Sequence, residues 1–245
     1  MSSQEILIER DGPVAIVSIN RHERRNTLAA STLDALDKAF DELEGDSAVR
    51  VVIVTGAGGK AFCAGADLEQ GFDATPENVR AIVARGQSVF QRIEHFPKPV
   101  IAAVTGYAFG GGFELMLSCD LSIAEENVNL GQPEVTRGLI PGWGGTQKIP
   151  RAAGKQRALE LMLLGGRIRA PQAHAMGLVN QVVPKGEGLN AARDLAARLA
   201  KNPALPMALI KDAVLRGAKT TLDQGLDIEA GNFTRAFLES DWNKI

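Results

Sequence analysis

Two stretches decide the fold: VRVVIVTGAGGKAFCAGADL at residues 49–68 and VIAAVTGYAFGGGFELMLSCD at residues 100–120. Each begins with a run of β-branched and apolar residues, which favours a buried strand. Each run passes through Val-Thr-Gly into a glycine-rich loop and later reaches an aspartate, Asp67 in the first and Asp120 in the second. The repeat predicts two copies of one strand–loop–helix unit that lie side by side and bring their loops together.

Strands and helices alternate along the rest of this part of the chain. Residues 14–19, 121–124 and 178–183 read as further strands. One helix is predicted to start at a cap provided by Ser31 or Thr32 and to end at Gly45, and a second is predicted from Thr75-Pro76 to Glu94. This alternation predicts an α/β fold with parallel or mixed strand pairing.

The character of the chain changes after Lys185. Residues 189–200, 205–215 and 222–238 have helical periodicity, and no strand signal follows them. We predict two units, an α/β body over residues 1–188 and a helical region over residues 189–245. A small helical region of this kind packs on its own body or on a neighbouring subunit.

Composition and charge argue against several classes of protein. Of 245 residues, 45% are hydrophobic and 23% charged, which is typical of a globular chain. The net charge is −2, so there is no basic surplus to neutralise nucleic-acid phosphates. The two cysteines, Cys63 and Cys119, read as reduced thiols, and the first residues lack a signal-peptide pattern. We expect a cytoplasmic protein that binds neither nucleic acid nor a membrane.

Two glutamates are the candidate acid–base residues. Glu114 follows three glycines at the start of an apolar helix, and Glu134 follows Gly-Gln-Pro in a loop-rich stretch. Each has a plainer interpretation, since Glu114 could complement a helix dipole and Glu134 could be a solvated loop acid. Together with two glycine-rich loops that offer backbone N–H groups, the pair suits proton and water chemistry at a carbonyl compound.

Other kinds of chemistry have weaker support. Residues 56–61 fit the loose G-x-G-x-x-A dinucleotide pattern, but no second strand ending in an acidic residue follows at the required spacing. A G-x-S-x-G motif and a metal-ligand spacing are both missing from the sequence. Cys63 has no evident base partner and reads as a small buried hydrophobe. Because the sequence has no metal-ligand spacing, we expect no metal site.

The chain resembles the crotonase family, the enoyl-CoA hydratase/isomerase superfamily. The resemblance is most specific in FGGGFELMLSCDLSIAEENVNLGQPEVTRGLIPGWGGTQKIPR at residues 109–151 and in KAFCAGADL at residues 60–68. It extends from the N-R-x-x-x-x-N-x-L pattern at residues 20–28 to the helical tail. The family fold that it implies is a spiral of ββα units with a C-terminal all-helical oligomerisation region.

The resemblance also implies roles for individual residues. The backbone N–H groups of Ala66 and Gly111 map to the family's oxyanion hole, and Glu114 and Glu134 map to its acid–base pair. Because isomerases of the family generally keep one of the two carboxylates, the pair favours hydration of a 2-trans-enoyl-CoA to a 3-hydroxyacyl-CoA. In that role Glu114 positions and activates water, while Glu134 gives the proton to C2.

Substrate binding is implied for one further segment. Ala64, Ala66, Asp67 and Leu68 map to the loop that contacts coenzyme A, and Gly111 joins them at the thioester. The resemblance implies no cofactor beyond the coenzyme A that belongs to the substrate, a homotrimer or homohexamer, and a place in fatty-acid β-oxidation.

Several positions depart from the family pattern. Glu69 stands where many hydratases carry Lys, and Trp143 replaces a usually small residue beside the Glu134 loop. Arg24 and Arg25 are candidates for a phosphate contact or, equally, for solvated surface charges. Trp143 is expected to narrow or flatten the acyl pocket. Isomerases, ring-specific hydratases or dehydratases, and a non-catalytic RNA- or partner-binding member stay open as alternatives.

Overall fold

The computed structural model describes residues 4–67, 74–240 and 242, which form ten strands and nine helices. The strands are β1 (Ile6–Asp11), β2 (Val14–Ile19), β3 (Val51–Gly56), β4 (Ala61–Cys63), β5 (Val100–Val104), β6 (Tyr107–Phe109), β7 (Leu121–Glu125), β8 (Asn129–Gly131), β9 (Arg167–Arg169) and β10 (Gln181–Val183). The helices are α1 (Ala30–Gly45), α2 (Pro76–Glu94), α3 (Gly111–Met116), α4 (Gly145–Ala153), α5 (Lys155–Leu163), α6 (Ala170–Ala175), α7 (Gly188–Leu199), α8 (Ala204–Gly217) and α9 (Leu222–Glu239).

A six-stranded sheet forms the centre of the fold. Its order is β1-β2-β3-β5-β7-β10, and every neighbouring pair is parallel except the β1–β2 hairpin. Alternate residues of β3 face opposite layers, as the two-residue period of a strand requires. Val52 and Val54 join the core that includes Phe40 of α1, while Val51 and Ile53 join the core on the α7 side. Burial on both faces explains why the predicted strands read as continuous apolar runs.

A second, four-stranded sheet has the order β4-β6-β8-β9. Its first three strands are parallel and follow β3, β5 and β7 respectively, so each strand of the central sheet is succeeded by a short strand of the small one. The predicted repeat is confirmed, with this addition. The order of the elements also excludes the dinucleotide interpretation of residues 56–61, because β3 leads into β4 and not into a helix.

The helix predictions are confirmed apart from one cap. Helix α2 starts at Pro76, and the Thr75 side chain accepts a hydrogen bond from the Asn78 amide at 3.2 Å. Helix α1 begins earlier than predicted, with Ala29 at its cap position. Thr32 lies inside the first turn, where its hydroxyl accepts a hydrogen bond from the Ala29 N–H at 3.3 Å. It thus satisfies a backbone donor at the start of the helix without occupying the cap position.

The C-terminal helices divide into two groups by what they touch. Ala192 and Ala196 of α7 pack on the central sheet. Helices α8 and α9 pack on each other, and Lys211 of α8 reaches Asp120 of the body at 2.6 Å. The division at residue 188 stays a prediction. Among the described residues, no helix has both the length and the apolar character that crossing a membrane requires.

Candidate active site

Two backbone N–H groups meet where the chain leaves β4 and β6. A β-carbon built on Gly111 would lie 3.5 Å from the amide nitrogen of Ala66, and one built on Gly65 would lie 3.4 Å from that of Gly111. The two nitrogens therefore share one small space. Within the described ranges, neither N–H has a hydrogen-bond acceptor in the protein. Both can donate to a single oxygen atom of a ligand.

Glu114 lies in the first turn of α3 and is 1% exposed. Its Oε1 accepts two backbone hydrogen bonds, from the Trp143 N–H at 2.9 Å and from the Gly145 N–H at 2.7 Å. Burial raises the pKa of this carboxyl, and the two N–H donors oppose that shift because they stabilise the charged form. The donors also fix the orientation of the carboxyl group.

Glu134 follows β8 and opens a short 3-10 turn over residues 134–137. It is half-buried, and burial raises the pKa of its carboxyl to about 7, with the charge of Glu114 acting in the same direction. A β-carbon on Gly110 would lie 2.8 Å from Glu134 Oε1, and Gly110 has φ = 53°, which favours glycine. The structure therefore places Glu134 against the loop that supplies the Gly111 N–H.

Gln132 is a site residue that the sequence analysis missed. Its side chain is fully buried, and its amide nitrogen donates to both oxygens of Glu134, at 2.8 and 3.0 Å, in the amide orientation that satisfies its neighbours. A β-carbon on Gly145 would lie 2.6 Å from this amide and 3.1 Å from Glu114 Oε1. Gln132 thus lies between the two carboxylates. In the sequence, only its place directly before Pro133 and Glu134 marks this residue, and that does not distinguish it from other polar loop residues.

Lys148 also escaped the sequence analysis. From α4 its Nζ donates to the Ser118 hydroxyl at 3.0 Å and pairs with Glu94 at 3.3 Å. Burial lowers the pKa of this ammonium, whereas the charge of Glu94 acts against that shift. The Ser118 hydroxyl in turn donates to the backbone carbonyl of Glu114 at 2.7 Å. Through Ser118, Lys148 thereby stabilises α3, the helix that carries Glu114.

The predicted coenzyme A loop is only partly described. The Ala64 N–H donates to Arg25 O at 3.1 Å, and the Asp67 N–H donates to Leu28 O at 2.9 Å. The Asp67 carboxylate is buried and forms ion pairs with Arg21 Nη2 at 2.8 Å and with Arg24 Nη1 at 3.5 Å. The side chain of Asp67 is therefore committed to the protein.

Three further positions that the sequence analysis considered are Leu68, Glu69 and Cys63. Leu68 and Glu69 lie outside the described residues. Cys63 is fully buried, and burial raises the pKa of its thiol to about 12, which makes it a poor nucleophile at neutral pH. The interpretation of Cys63 as a buried hydrophobe is confirmed.

The arrangement is that of an enzyme acting on a carbonyl compound. Two convergent N–H donors can stabilise an oxyanion, and two carboxylates with raised pKa can hold and transfer a proton beside it. The comparison with known proteins agrees with this class. Residues 9–244 match the model of the enoyl-CoA hydratase/isomerase family, and the chain belongs to that family.

Named relatives narrow the class to hydratases. The chain is 40% identical over 241 residues to a short-chain-enoyl-CoA hydratase of Clostridium acetobutylicum, covering 98% of this chain and 92% of the relative. It is 39% identical over 241 residues to a crotonyl-CoA hydratase of Syntrophomonas wolfei, covering 98% and 93%. A solved enoyl-CoA hydratase from Bacillus anthracis superposes with a TM-score of 0.93 at 39% identity, covering 97% and 93%. The predicted family, fold class and hydratase activity are confirmed; the roles of individual residues stay predictions.

Proposed function

We propose that the chain hydrates a 2-trans-enoyl-CoA to a 3-hydroxyacyl-CoA, with Glu114 and Glu134 as the acid–base pair. The observation that carries this proposal is the placement of two carboxylates beside two N–H groups that have no acceptor within the described ranges. An isomerase of the family needs one carboxylate, whereas addition of water requires one proton to be taken from the water and one to be given to carbon.

The proposed reaction uses each group once. The N–H groups of Ala66 and Gly111 hold the thioester oxygen. Glu114 takes a proton from water as the water oxygen bonds to C3, and the electron pair of the C2–C3 double bond moves onto the thioester to give an enolate. Glu134 then gives its proton to C2. Exchange of one proton between the two carboxyl groups through solvent restores the starting state.

This assignment follows from the surroundings of the two carboxyl groups. Burial raises the pKa of Glu114, but the two N–H donors on its Oε1 act against that shift and stabilise the ionised form, which is the form that can accept a proton. Glu134, with a pKa raised to about 7, retains a substantial protonated fraction at neutral pH. The residues of the loop at 64–68 would hold coenzyme A, and the proposed reaction uses no metal and no redox cofactor.

The test is loss of the conjugated-thioester absorbance when the purified protein is added to crotonyl-CoA. Activity should be unchanged after dialysis against EDTA. Activity that vanishes with EDTA and returns with a metal would contradict the proposed chemistry. Conversion of a 3-enoyl-CoA to a 2-enoyl-CoA without hydration would favour the isomerase alternative.

We further propose that the chain forms a homotrimer, or a hexamer of two trimers, in the cytoplasm. Helices α8 and α9 carry large apolar side chains that are half or more exposed in the single chain. They include Ile210, Val214, Leu226, Phe233 and Leu238. Exposed apolar side chains grouped on two packed helices favour contact with further copies of the chain. Sedimentation of the purified protein at the mass of one chain would contradict the oligomer, and fractionation of producing cells tests the compartment.

A further inference from the structure

The N–H of Ala66 takes its direction from a short parallel bridge between Ala66 and Leu28. The Leu28 N–H donates to Gly65 O at 2.8 Å, and Leu28 O accepts from the Asp67 N–H at 2.9 Å. The peptide groups on either side of Ala66 thus turn towards Leu28. In a parallel ladder, the residue between two such groups directs its own N–H to the other side, and that is the side on which Gly111 lies.

One guanidinium group holds the two sides of this bridge together. Arg21 Nη1 donates to Thr27 O at 2.6 Å, and Arg21 Nη2 pairs with Asp67 Oδ2 at 2.8 Å. Thr27 directly precedes one bridged residue, and Asp67 directly follows the other. The remaining nitrogen, Nε, pairs with Glu5 at 3.2 Å. The side chains of Arg21 and Asp67 are 9% and 3% exposed, so water screens their attraction little.

The loop that carries Arg21 is itself anchored by the buried side chain of Asn26. Asn26 Oδ1 accepts from the Arg21 N–H at 3.0 Å, and Nδ2 donates to Ala57 O at 2.9 Å and to Ala61 O at 2.8 Å. Asn26 has φ = 56°, a left-handed conformation that asparagine adopts more readily than most residues. The guanidinium therefore starts from a fixed loop and can set the position of the segment across the bridge.

We infer that Arg21 is a positioning residue: its guanidinium keeps the Ala66 N–H beside the Gly111 N–H, where both can donate to one oxygen. This inference rests on the proposed function, because it takes these two N–H groups to hold the thioester oxygen. Each side-chain nitrogen of Arg21 has an acceptor in the protein, so Arg21 acts through the loop and not on the substrate. Without it the bridge keeps its backbone bonds but loses the group that locks them, and a shift of about 1 Å can cost about 10²-fold in rate.

The test measures how strongly the two N–H groups hold an enolate. Acetoacetyl-CoA is the probe, because its keto form has no C2–C3 double bond to hydrate and releases a C2 proton to solvent to give an enolate that absorbs in the near ultraviolet. Donors at the thioester oxygen stabilise this enolate. The ratio of enolate to keto form, read at one fixed pH with all of the probe bound, therefore reports the placement of the donors. The kcat for crotonyl-CoA hydration is measured alongside.

In Arg21→Met the enolate ratio and kcat should each fall about tenfold or more, because a misplaced donor loses part of the about 10²–10³-fold that a whole oxyanion donor contributes. Arg21→Lys keeps the positive charge but not the fork that reaches both sides of the bridge, so it should lie between Arg21→Met and the native protein. The enolate ratio refers to bound probe only, so weaker coenzyme A binding or a smaller folded fraction leaves it unchanged.

Lys211→Met is the matched control, because it removes another ion pair that is largely buried. Lys211 Nζ reaches Asp120 Oδ2 at 2.6 Å, and the same oxygen accepts the N–H of Val100, the first residue of β5, at 2.7 Å. The loop of Gly111 follows the other end of that strand, after β6. The control should keep the native enolate ratio. An equal fall in Lys211→Met and Arg21→Met would overturn the inference, since the loss of any such ion pair would then suffice.

The outcomes separate this inference from the proposed function. Enolate enriched by the native protein and equally by folded Arg21→Met would overturn the role of Arg21 and leave the proposed reaction standing. Where Arg21→Met does not fold, a native enolate ratio in Arg21→Lys would overturn it in the same way. If the native protein binds acetoacetyl-CoA with the enolate ratio of the free probe, the two N–H groups hold no oxyanion, and the proposed reaction and this inference are both wrong.

Discussion

Replacing Glu114 and Glu134 in turn by glutamine tests the proposed acid–base pair most directly. Glutamine keeps the size and one carbonyl oxygen of glutamate but cannot take or give the proton. In Glu114→Gln that oxygen can still accept hydrogen bonds from the N–H groups of Trp143 and Gly145, which lie 2.9 and 2.7 Å from Oε1 in the native protein. We therefore expect the variant to fold and to bind substrate.

The expected loss of activity is large for either single change. A positioned general acid or base contributes about 10²–10⁴-fold, which is roughly 2.7–5.4 kcal/mol of transition-state stabilisation at 1.36 kcal/mol per decade. In the proposed reaction, Glu114→Gln removes the group that takes the water proton, and Glu134→Gln removes the donor to C2. Because the enolate formed with the help of Glu114 gives product only when Glu134 protonates it, the two groups act as a unit, and the double variant should be little slower than the slower single variant.

The assay is kcat for crotonyl-CoA hydration, followed by the loss of thioester absorbance. Glu125→Gln is a matched control: Glu125 is a 4% exposed carboxylate on β7 that accepts the Gly188 N–H at 3.4 Å, away from the site. The control should keep native kcat. Native hydration by either Glu114→Gln or Glu134→Gln would refute the paired mechanism.

Three further outcomes follow from the same site. Gly111→Pro removes one oxyanion donor and should lower kcat by about 10²–10³-fold, provided that circular dichroism shows a native fold. Gln132→Met removes a donor that favours ionised Glu134, so the pKa of Glu134 should rise and the alkaline limb of the kcat/KM profile, expected near pH 7, should move to higher pH; an unmoved limb would exclude the role of Gln132. Since the folded-state pKa of Glu134 lies above the unfolded value of about 4.3, its contribution to stability falls as pH rises from about 4.3 to about 7. Glu134→Gln should therefore raise the free energy of unfolding at pH 8 by about 1 kcal/mol, allowing for partial solvent screening, and leave it unchanged at pH 4; equal stability at pH 8 in urea titrations would contradict this.

The sequence predicts the central sheet better than the small one. Strands β2, β3, β5 and β7 are apolar runs buried on both faces, and that pattern is visible in the sequence. Strands β4, β6 and β8 have three residues each, which is too short for a two-residue period to reveal them. Their pairing is set by contacts between repeats far apart in the chain. Strand β1 was missed because its outward face is charged and exposed.

The candidate site shows the same division. Glu114 and Glu134 stand in motifs, and the structure brings both to the loops of Ala66 and Gly111. Gln132 could not be assigned from sequence, because its role depends on an amide that faces Glu134 only after the chain has folded.

The small sheet explains why the site assembles at all. Strands β4, β6 and β8 are parallel neighbours, so their carboxyl ends lie along one edge. Cys63 pairs with Ala108, and Phe109 pairs with Gly131, which aligns the three exits. The first exit supplies the Ala66 N–H, the second the Gly111 N–H and Glu114, and the third Gln132 and Glu134. The register of these strands thus sets the distance between the two N–H groups and the two carboxylates, and a slip of one residue in β6 would separate Gly111 from Ala66.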